Sequence, residues 1–240
     1  MAFSTFLKRN FNVLSKDNQQ DIERIREQKR FVPFHDRPTH THIPIDTLLM
    51  SQGVKNCMTW RGIDLGKSVY DFALLSMIIW ENSPATILEI GSGEGASAAW
   101  MADLCKTYGL HNTKVLSIDI EPPSIEHEGV TFFKGNSEEI DKEKCVKWEW
   151  FHVLKERPHP WLILEDAHVN INGILEYFSN TMHTGDYIVI EDSRGRLQTK
   201  LEVPNTLYVD THYCDYFGRN ATSSMNTILY KWPGRFEGMG

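Results

Sequence analysis

Two stretches of this 240-residue chain end an apolar run in adjacent acids, 161-WLILEDAHVN-170 and 186-DYIVIEDSRG-195. Alternation along a strand points neighbouring side chains to opposite sides. One acid of Glu165–Asp166 and one of Glu191–Asp192 can therefore serve a site while the other serves structure. Three or four converging carboxylates repel one another and are costly to strip of water. A hard divalent cation resolves that conflict, and an oxygen-rich set without cysteine suits Mg²⁺ or Mn²⁺ better than zinc. The competing reading is that the acids cap the helices that follow, Asp166 doing so for a helix near Asn170. Each pair alone is weak evidence, and the two together favour the metal. His168, two residues beyond Asp166, is the candidate general base, weighed against the commoner fate of a buried, hydrogen-bonded histidine.

A second constellation lies upstream, in 89-EIGSGEGAS-97. Gly91, Gly93 and Gly95 fall where a strand turns into a helix, so a ligand can approach the backbone and meet free N–H groups. Asp119 follows 28 residues after Gly91, where an acid accepts hydrogen bonds from ribose hydroxyls. The loop fits Gly-x-Gly-x-Gly and also the dinucleotide pattern Gly-x-Gly-x-x-Ala, through Gly91, Gly93 and Ala96. Glu89 bears on the choice, because an acid at the strand end is unwelcome to a pyrophosphate but tolerable to a sulfonium zwitterion. No Tyr-x-x-x-Lys pair occurs, which removes the usual short-chain dehydrogenase chemistry.

These residues need elements to hold them. Helical patterns over 66–82, 96–109, 137–156 and 171–182 alternate with apolar strands at 86–90, 114–120, 130–135, 161–166 and 186–192. Two further strands, 207–213 and 226–232, have no helix between them and should form an antiparallel hairpin at the sheet edge. The expected fold is α/β and Rossmann-like: a seven-stranded, mostly parallel sheet with helices on both faces and that antiparallel C-terminal hairpin. In such a sheet ligands sit beyond the carboxyl ends of the strands, where the acid pairs and the glycine loop all fall.

Residues 1–50 differ in character from residues 51–240, which carry the ligand-binding domain. Phe3, Phe6, Leu7, Phe11 and Leu14 recur at helical spacing, a charged helical stretch spans 17–30, and 32-VPFHDRPTHTHIP-44 is extended. This N-terminal helical and extended appendage reads as packing on the body or on another copy, hence a homo-oligomer. His35, His40 and His42 read as a solvated loop.

Composition excludes several classes of partner. A net charge of -7 disfavours nucleic acid. Cys57, Cys105, Cys145 and Cys214 form no CxxC pair, which argues for reduced thiols rather than disulfides or a zinc knot. The longest apolar stretch, 72-FALLSMIIW-80, falls short of the roughly 20 residues that span a bilayer, so no membrane is expected. MAFSTFLKRNFNV lacks the apolar core of a signal peptide, so the expected compartment is cytoplasmic.

Over about residues 60–232, the glycine loop, 135-GNS-137 and the terminal hairpin resemble the class I S-adenosylmethionine-dependent methyltransferases. The resemblance implies that Glu89, Gly91 and Gly93 hold the methionine end, Asp119 the ribose, and Asn136 and Ser137 the adenine. More specifically, 59-TWRGIDLGK-67, 165-EDAHVN-170, 185-GDYIVIED-192 and 215-DYFGRNATSSMN-226 resemble the cephalosporin hydroxylase/rhamnosyl O-methyltransferase family. That likeness implies Mg²⁺ on Asp166, Glu191 and Asp192, with Glu165 outside the set and Trp60 and Arg61 over the cofactor. The expected activity is Mg²⁺-dependent methyl transfer to a hydroxyl of a small natural product or sugar. The family's name also covers a hydroxylase-associated role, so an oxygenase or its partner is the rival, as is a non-catalytic binding subunit. A non-haem iron site needs two histidines and one carboxylate, and only His168 is so placed. Asp215, Tyr216, Phe217, Asn220 and Asn226 either line the acceptor pocket or close the hairpin.

Overall fold

The computed structural model describes residues 30–53, 58–140, 144–195 and 197–232. The aromatic stripe from Phe3 to Leu14 and all but the last residue of the charged stretch after it lie outside these. In chain order the elements begin with β1 (Phe31–Pro33), α1 (Ile45–Met50), β2 (Thr59–Trp60), β3 (Ile63–Asp64), α2 (Val69–Asn82), β4 (Thr86–Ile90) and α3 (Ala96–Thr107). They continue with β5 (Lys114–Asp119), β6 (Val130–Lys134), α4 (Glu149–Lys155), β7 (Trp161–Glu165) and α5 (Ile171–Thr181). The last are β8 (Tyr187–Ile190), β9 (Leu207–Asp210), α6 (Thr211–Cys214) and β10 (Ile228–Lys231).

The main sheet has eight strands in the order β1-β9-β10-β8-β7-β4-β5-β6, and β2 pairs with β3 alone. The block from β6 to β8 is parallel, and β10 runs antiparallel to both β8 and β9. All seven expected strands are present, and the count is corrected to eight by β1. That strand pairs antiparallel with β9, from Phe31 opposite Asp210 to Pro33 opposite Tyr208. The C-terminal hairpin is therefore not an edge: β10 sits inside the sheet and β1 covers β9, satisfying backbone groups that would otherwise be left open.

Every residue of β4, β7 and β8 is buried, as expected of strands covered on both faces. The helix expected over 137–156 is instead two 3-10 turns, Ser137–Glu139 and Cys145–Lys147, followed by α4. Only Trp150, Phe151 and Leu154 give α4 a buried face, and the charged run before it has no comparable apolar stripe to bury. Helix α2 starts where the Ser68 side chain accepts the Asp71 backbone N–H at 3.1 Å and ends at Ser83 with φ 44°.

Part of the N-terminal segment is built into the body. Arg37 is buried; it donates to Asp215 Oδ1 at 2.7 Å and to Asn226 Oδ1 at 2.8 Å. The Asn220 amide nitrogen Nδ2 donates to the carbonyls of Pro38 and His40 at 2.9 and 3.0 Å. Asp215, Asn220 and Asn226 thus tie residues 37–40 to the loop before β10.

Candidate functional site

A cavity of about 600 Å³ opens beyond the carboxyl ends of β4, β5, β6 and β7. Its volume lies within the roughly 300–1,000 Å³ of small-molecule sites. Gly91, Gly93, Asp119, Asn136, Ser137 and Asp166 are among the residues lining it. The glycine loop reaches the acid motif through Gly91, at φ 102°. A Cβ there would stand 2.8 Å from the Ala167 backbone nitrogen and 2.9 Å from the Asp166 carbonyl carbon. A side chain at 91 would thus drive apart the two turns that share the wall. Asp119 links strand and loop: Oδ2 accepts the Gly93 N–H at 3.2 Å and Oδ1 that of Glu121 at 3.0 Å. Asn136 accepts the Glu138 N–H at 3.0 Å and so fixes the turn after β6.

Glu89 lies beneath this wall, not on it. It is fully buried in β4, where Ser117 donates to it at 2.5 Å and Ser97 donates to its other oxygen. Burial pushes its carboxyl up to about 7, against the pull of Lys67 and the two hydroxyls. Glu89 was expected at the methionine end; it is not among the residues lining the cavity but bonds Ser97, which is. Trp60 and Arg61 also depart from expectation. Trp60 Nε1 donates to Asp103 Oδ2 at 2.8 Å, and Arg61 binds both Asp103 oxygens at 2.7 and 2.8 Å. They clamp the β2–β3 ribbon onto α3, and the segment that follows, Asp64 to Gly66, supplies cavity wall.

The acid pairs converge around a residue that periodicity did not single out. Lys67 is 2% exposed, and its Nζ lies 2.7 Å from Asp166 Oδ2 and 2.7 Å from Glu191 Oε2. Burial works against its charge, but Glu191, Asp166 and Glu89 outweigh burial and hold its pKa above that of an ordinary lysine. Burial, with repulsion from Asp166, pushes Glu191 well up; it also raises Asp192, with Arg194 opposing. Lys67 closes the 59–67 motif, so the pattern contained it, but a lysine there reads as surface until tertiary contacts are known.

His168 Nε2 lies 3.5 Å from Asp166 Oδ1 and 3.9 Å from Asp192 Oδ2, and the residue is exposed. Among the described residues, Asp166, His168 and Asp192 form a group whose ligand atoms all fall within 4.8 Å of one another; it holds His168 where Glu191 was expected, and Glu191 lies beside it. Glu191 Oε1 and Asp192 Oδ1 are buried without a hydrogen-bond partner. Unsatisfied carboxylate oxygens beside such a group are what a hard divalent cation would coordinate, so the residues present fit Mg²⁺ or Mn²⁺. With one histidine and two carboxylates, the group is not the two-histidine set of a non-haem iron site.

Glu165 turns the opposite way and is fully buried. Its Oε1 accepts the His168 backbone N–H at 2.7 Å, which holds the turn in which His168 takes φ 58°. Burial pushes its carboxyl up to about 7, against the backbone donors of that turn. Asp166 caps no helix: the residue before α5 is Asn170, at φ 56°. Among the histidines at 35, 40 and 42, His40 Nε2 pairs with Arg219 Nη1 at 2.7 Å, and His42 Nδ1 accepts the Arg219 N–H at 3.0 Å. No described helix is long and apolar enough to cross a membrane.

A family model described as Rhamnosyl O-methyltransferase/CmcI matches residues 52–213. The Rhamnosyl O-methyltransferase of Mycobacterium leprae (strain TN) is 28% identical over 147 residues, 58% of this chain and 62% of that protein. Its counterpart in Mycobacterium tuberculosis (strain ATCC 25618 / H37Rv) is 26% identical over 143 residues, 56% of each. The chain thus spans less than two thirds of the length of these curated relatives. Among solved structures, apo CmcI has a TM-score of 0.63 at 23% identity, covering 94% of this chain and 100% of that one. A CmcI structure with Mg and SAM has a TM-score of 0.58 at 24% identity, covering 88% and 94%. At these identities the structural likeness is one of fold.

Proposed function

The chain belongs to the rhamnosyl O-methyltransferase/CmcI family, and on that premise we propose that it is an S-adenosylmethionine-dependent O-methyltransferase requiring Mg²⁺ or Mn²⁺. Its acceptor would be a hydroxyl on a small natural product or sugar. The observation that carries the reading is the junction at Gly91, where the cofactor cavity and the Asp166 turn share one wall. A group bound in the cavity therefore lies against the acid cluster.

In this reading Gly91 and Gly93 offer backbone to the methionine end, Asp119 accepts from the ribose, and Asn136 and Ser137 flank the adenine. Each Asp119 oxygen already accepts one backbone N–H, from Gly93 or Glu121, and keeps a lone pair free for a ribose hydroxyl. Asp166, Glu191 and Asp192 hold the cation, which when bound supplies a Lewis acid that lowers the pKa of the acceptor hydroxyl. His168 takes the hydroxyl proton at Nε2, its backbone fixed by Glu165. The acceptor oxygen forms a bond to the methyl carbon, and the carbon–sulfur bond breaks with its electron pair staying on sulfur. The buried floor of Ile90 and Ile118 helps to keep water from the transfer.

Methyl transfer to a sugar or phenol panel should fall to background in EDTA and recover with MgCl₂. Asp166→Asn should lower it by about 100-fold while S-adenosylhomocysteine binding, read by calorimetry, stays within a few-fold. Undiminished turnover in EDTA would remove the metal from the reaction.

A second reading of His168 is favoured by its place in the three-residue group: it is a ligand, not the base. His168→Gln separates the two. Lost turnover with Mn²⁺ affinity intact marks a base, and lost Mn²⁺ affinity marks a ligand.

A further inference from the structure

We propose that Lys67 is a positioning residue that sets which divalent cation the site accepts. It holds one oxygen of Asp166 and one of Glu191, so that each carboxylate can offer the ion a single oxygen, which favours Mg²⁺ over Ca²⁺. The inference rests on the reading above, that Asp166, Glu191 and Asp192 hold the cation.

The geometry carries the first part. Nζ lies 2.7 Å from Asp166 Oδ2 and from Glu191 Oε2, leaving Asp166 Oδ1 toward His168 and Glu191 Oε1 buried without a partner. An ammonium has three donors, and these two contacts fix its direction. The backbone around it is fixed as well. The Leu65 N–H donates to the Met58 carbonyl at 2.7 Å, and the Val69 N–H to that of Ser51 at 3.2 Å. Lys67 is also the residue just before the Ser68 cap of α2, whose Asp71 accepts the Ser223 N–H at 3.0 Å. The side chain is almost wholly enclosed, so it has little room to swing away when a cation arrives.

In the same place the Lys67 ammonium offsets part of the negative charge that Asp166 and Glu191 bring to the site. Arg194 Nη1 approaches Asp192 Oδ1 only to 3.4 Å, from a partly exposed position where solvent weakens it. The selectivity follows from coordination chemistry. Calcium takes about six to eight oxygens and readily uses both oxygens of a carboxylate, whereas magnesium is smaller, keeps several waters and takes single oxygens from one or two carboxylates. A carboxylate with one oxygen held by an ammonium is the poorer bidentate ligand, because that oxygen shares its lone pairs between the ammonium and the ion.

The test is calorimetric titration of the full chain, with S-adenosylhomocysteine present, by MgCl₂ and separately by CaCl₂. In Lys67→Gln the ratio of the Ca²⁺ to the Mg²⁺ dissociation constant should fall by about tenfold or more, as freed carboxylates become better bidentate ligands. A folded variant whose ratio stays within about threefold of wild type overturns the inference and leaves the metal reading standing. If wild type binds neither ion, both fall. Should Lys67→Gln not fold, the wild-type chain answers instead. Lys67 is the one buried lysine among the described residues, so its ammonium should give a slowly exchanging ¹⁵N signal. Persistence of that signal on adding MgCl₂ supports the clamp, and its loss overturns it.

Discussion

Asp166 and Glu89 are both carboxylates in or beside strands of the parallel block, yet their surroundings give them opposite work. Asp166 sits past the strand end, partly open, with one oxygen on Lys67 and one facing the cluster. Glu89 is sealed inside β4 with two serine hydroxyls and no access to the cavity. Its carboxyl, about 7 in the folded chain, would titrate near the ordinary 4.5 when unfolded. Between those values the folded state holds a proton that the unfolded state has lost, so this group's contribution to stability declines as pH rises from about 4.5 to 7. Glu89→Gln can still accept from one serine and carries no charge. Thermal melts across pH 5 to 8 should therefore show a shallower decline in the variant than in wild type. An unchanged slope would mean that Glu89 is ionised throughout.

Turns between elements decide how close the two halves of the site stand. The chain leaves β4 through Gly91 and leaves β7 through Asp166 and Ala167, and the Asp166 N–H donates to the Ile90 carbonyl at 2.8 Å. Gly91→Ala places a methyl 2.8 Å from the backbone of the Asp166–Ala167 turn, which must then shift, and imposes a positive φ on alanine. The expected cost is about 1–3 kcal/mol of stability, with S-adenosylhomocysteine affinity lowered as well; chemical denaturation and calorimetry read the two. Gly93, by contrast, has open space where a Cβ would sit, so Gly93→Ala meets only the conformational penalty of its φ of 49° and should cost less. Asp103 acts at the same scale. It receives Trp60, His127 and Arg61, which outweigh burial and hold its carboxyl below the ordinary range. Through that clamp α3 carries the ribbon that leads to Lys67.

At the scale of the whole molecule, residues 30–50 are part of how the fold closes. β1 completes the sheet at β9, and Arg37 fills a buried polar pocket formed by Asp215, Asn220 and Asn226. Arg37→Met keeps the bulk but leaves the Asp215 carboxylate buried without its cation, at a cost of about 3–5 kcal/mol in chemical denaturation. Adding Asp215→Asn should restore part of that loss. If the double variant is no more stable than Arg37→Met, the pair is not coupled. Asp215, Asn220 and Asn226 meet Arg37 in the connection between β9 and β10, while Phe217 packs edge-on against Tyr70 at 5.7 Å.

Much of this was legible in the residues themselves. Continuous apolar runs such as TILEI and WLILE imply strands buried on both faces, and helices between them imply parallel pairing, because only a crossover brings the chain back in the same direction. That reasoning also fixes where the strands end, and so brings Asp119, Asp166, Glu191 and Asp192 to one side of the sheet without a coordinate. Three things were not legible. β1 is three residues long and owes its place to the open edge of β9, which no local pattern announces. Trp60 and Arg61 find Asp103 at separations of 43 and 42 positions, and their direction depends on how the ribbon lies on α3. Lys67 looks like any solvated lysine until β7 and β8 deliver two acids to it, at separations of 99 and 124 positions. Periodicity records which face of an element is apolar, and it is silent on which distant charges will meet, because long-range pairing depends on how the elements pack.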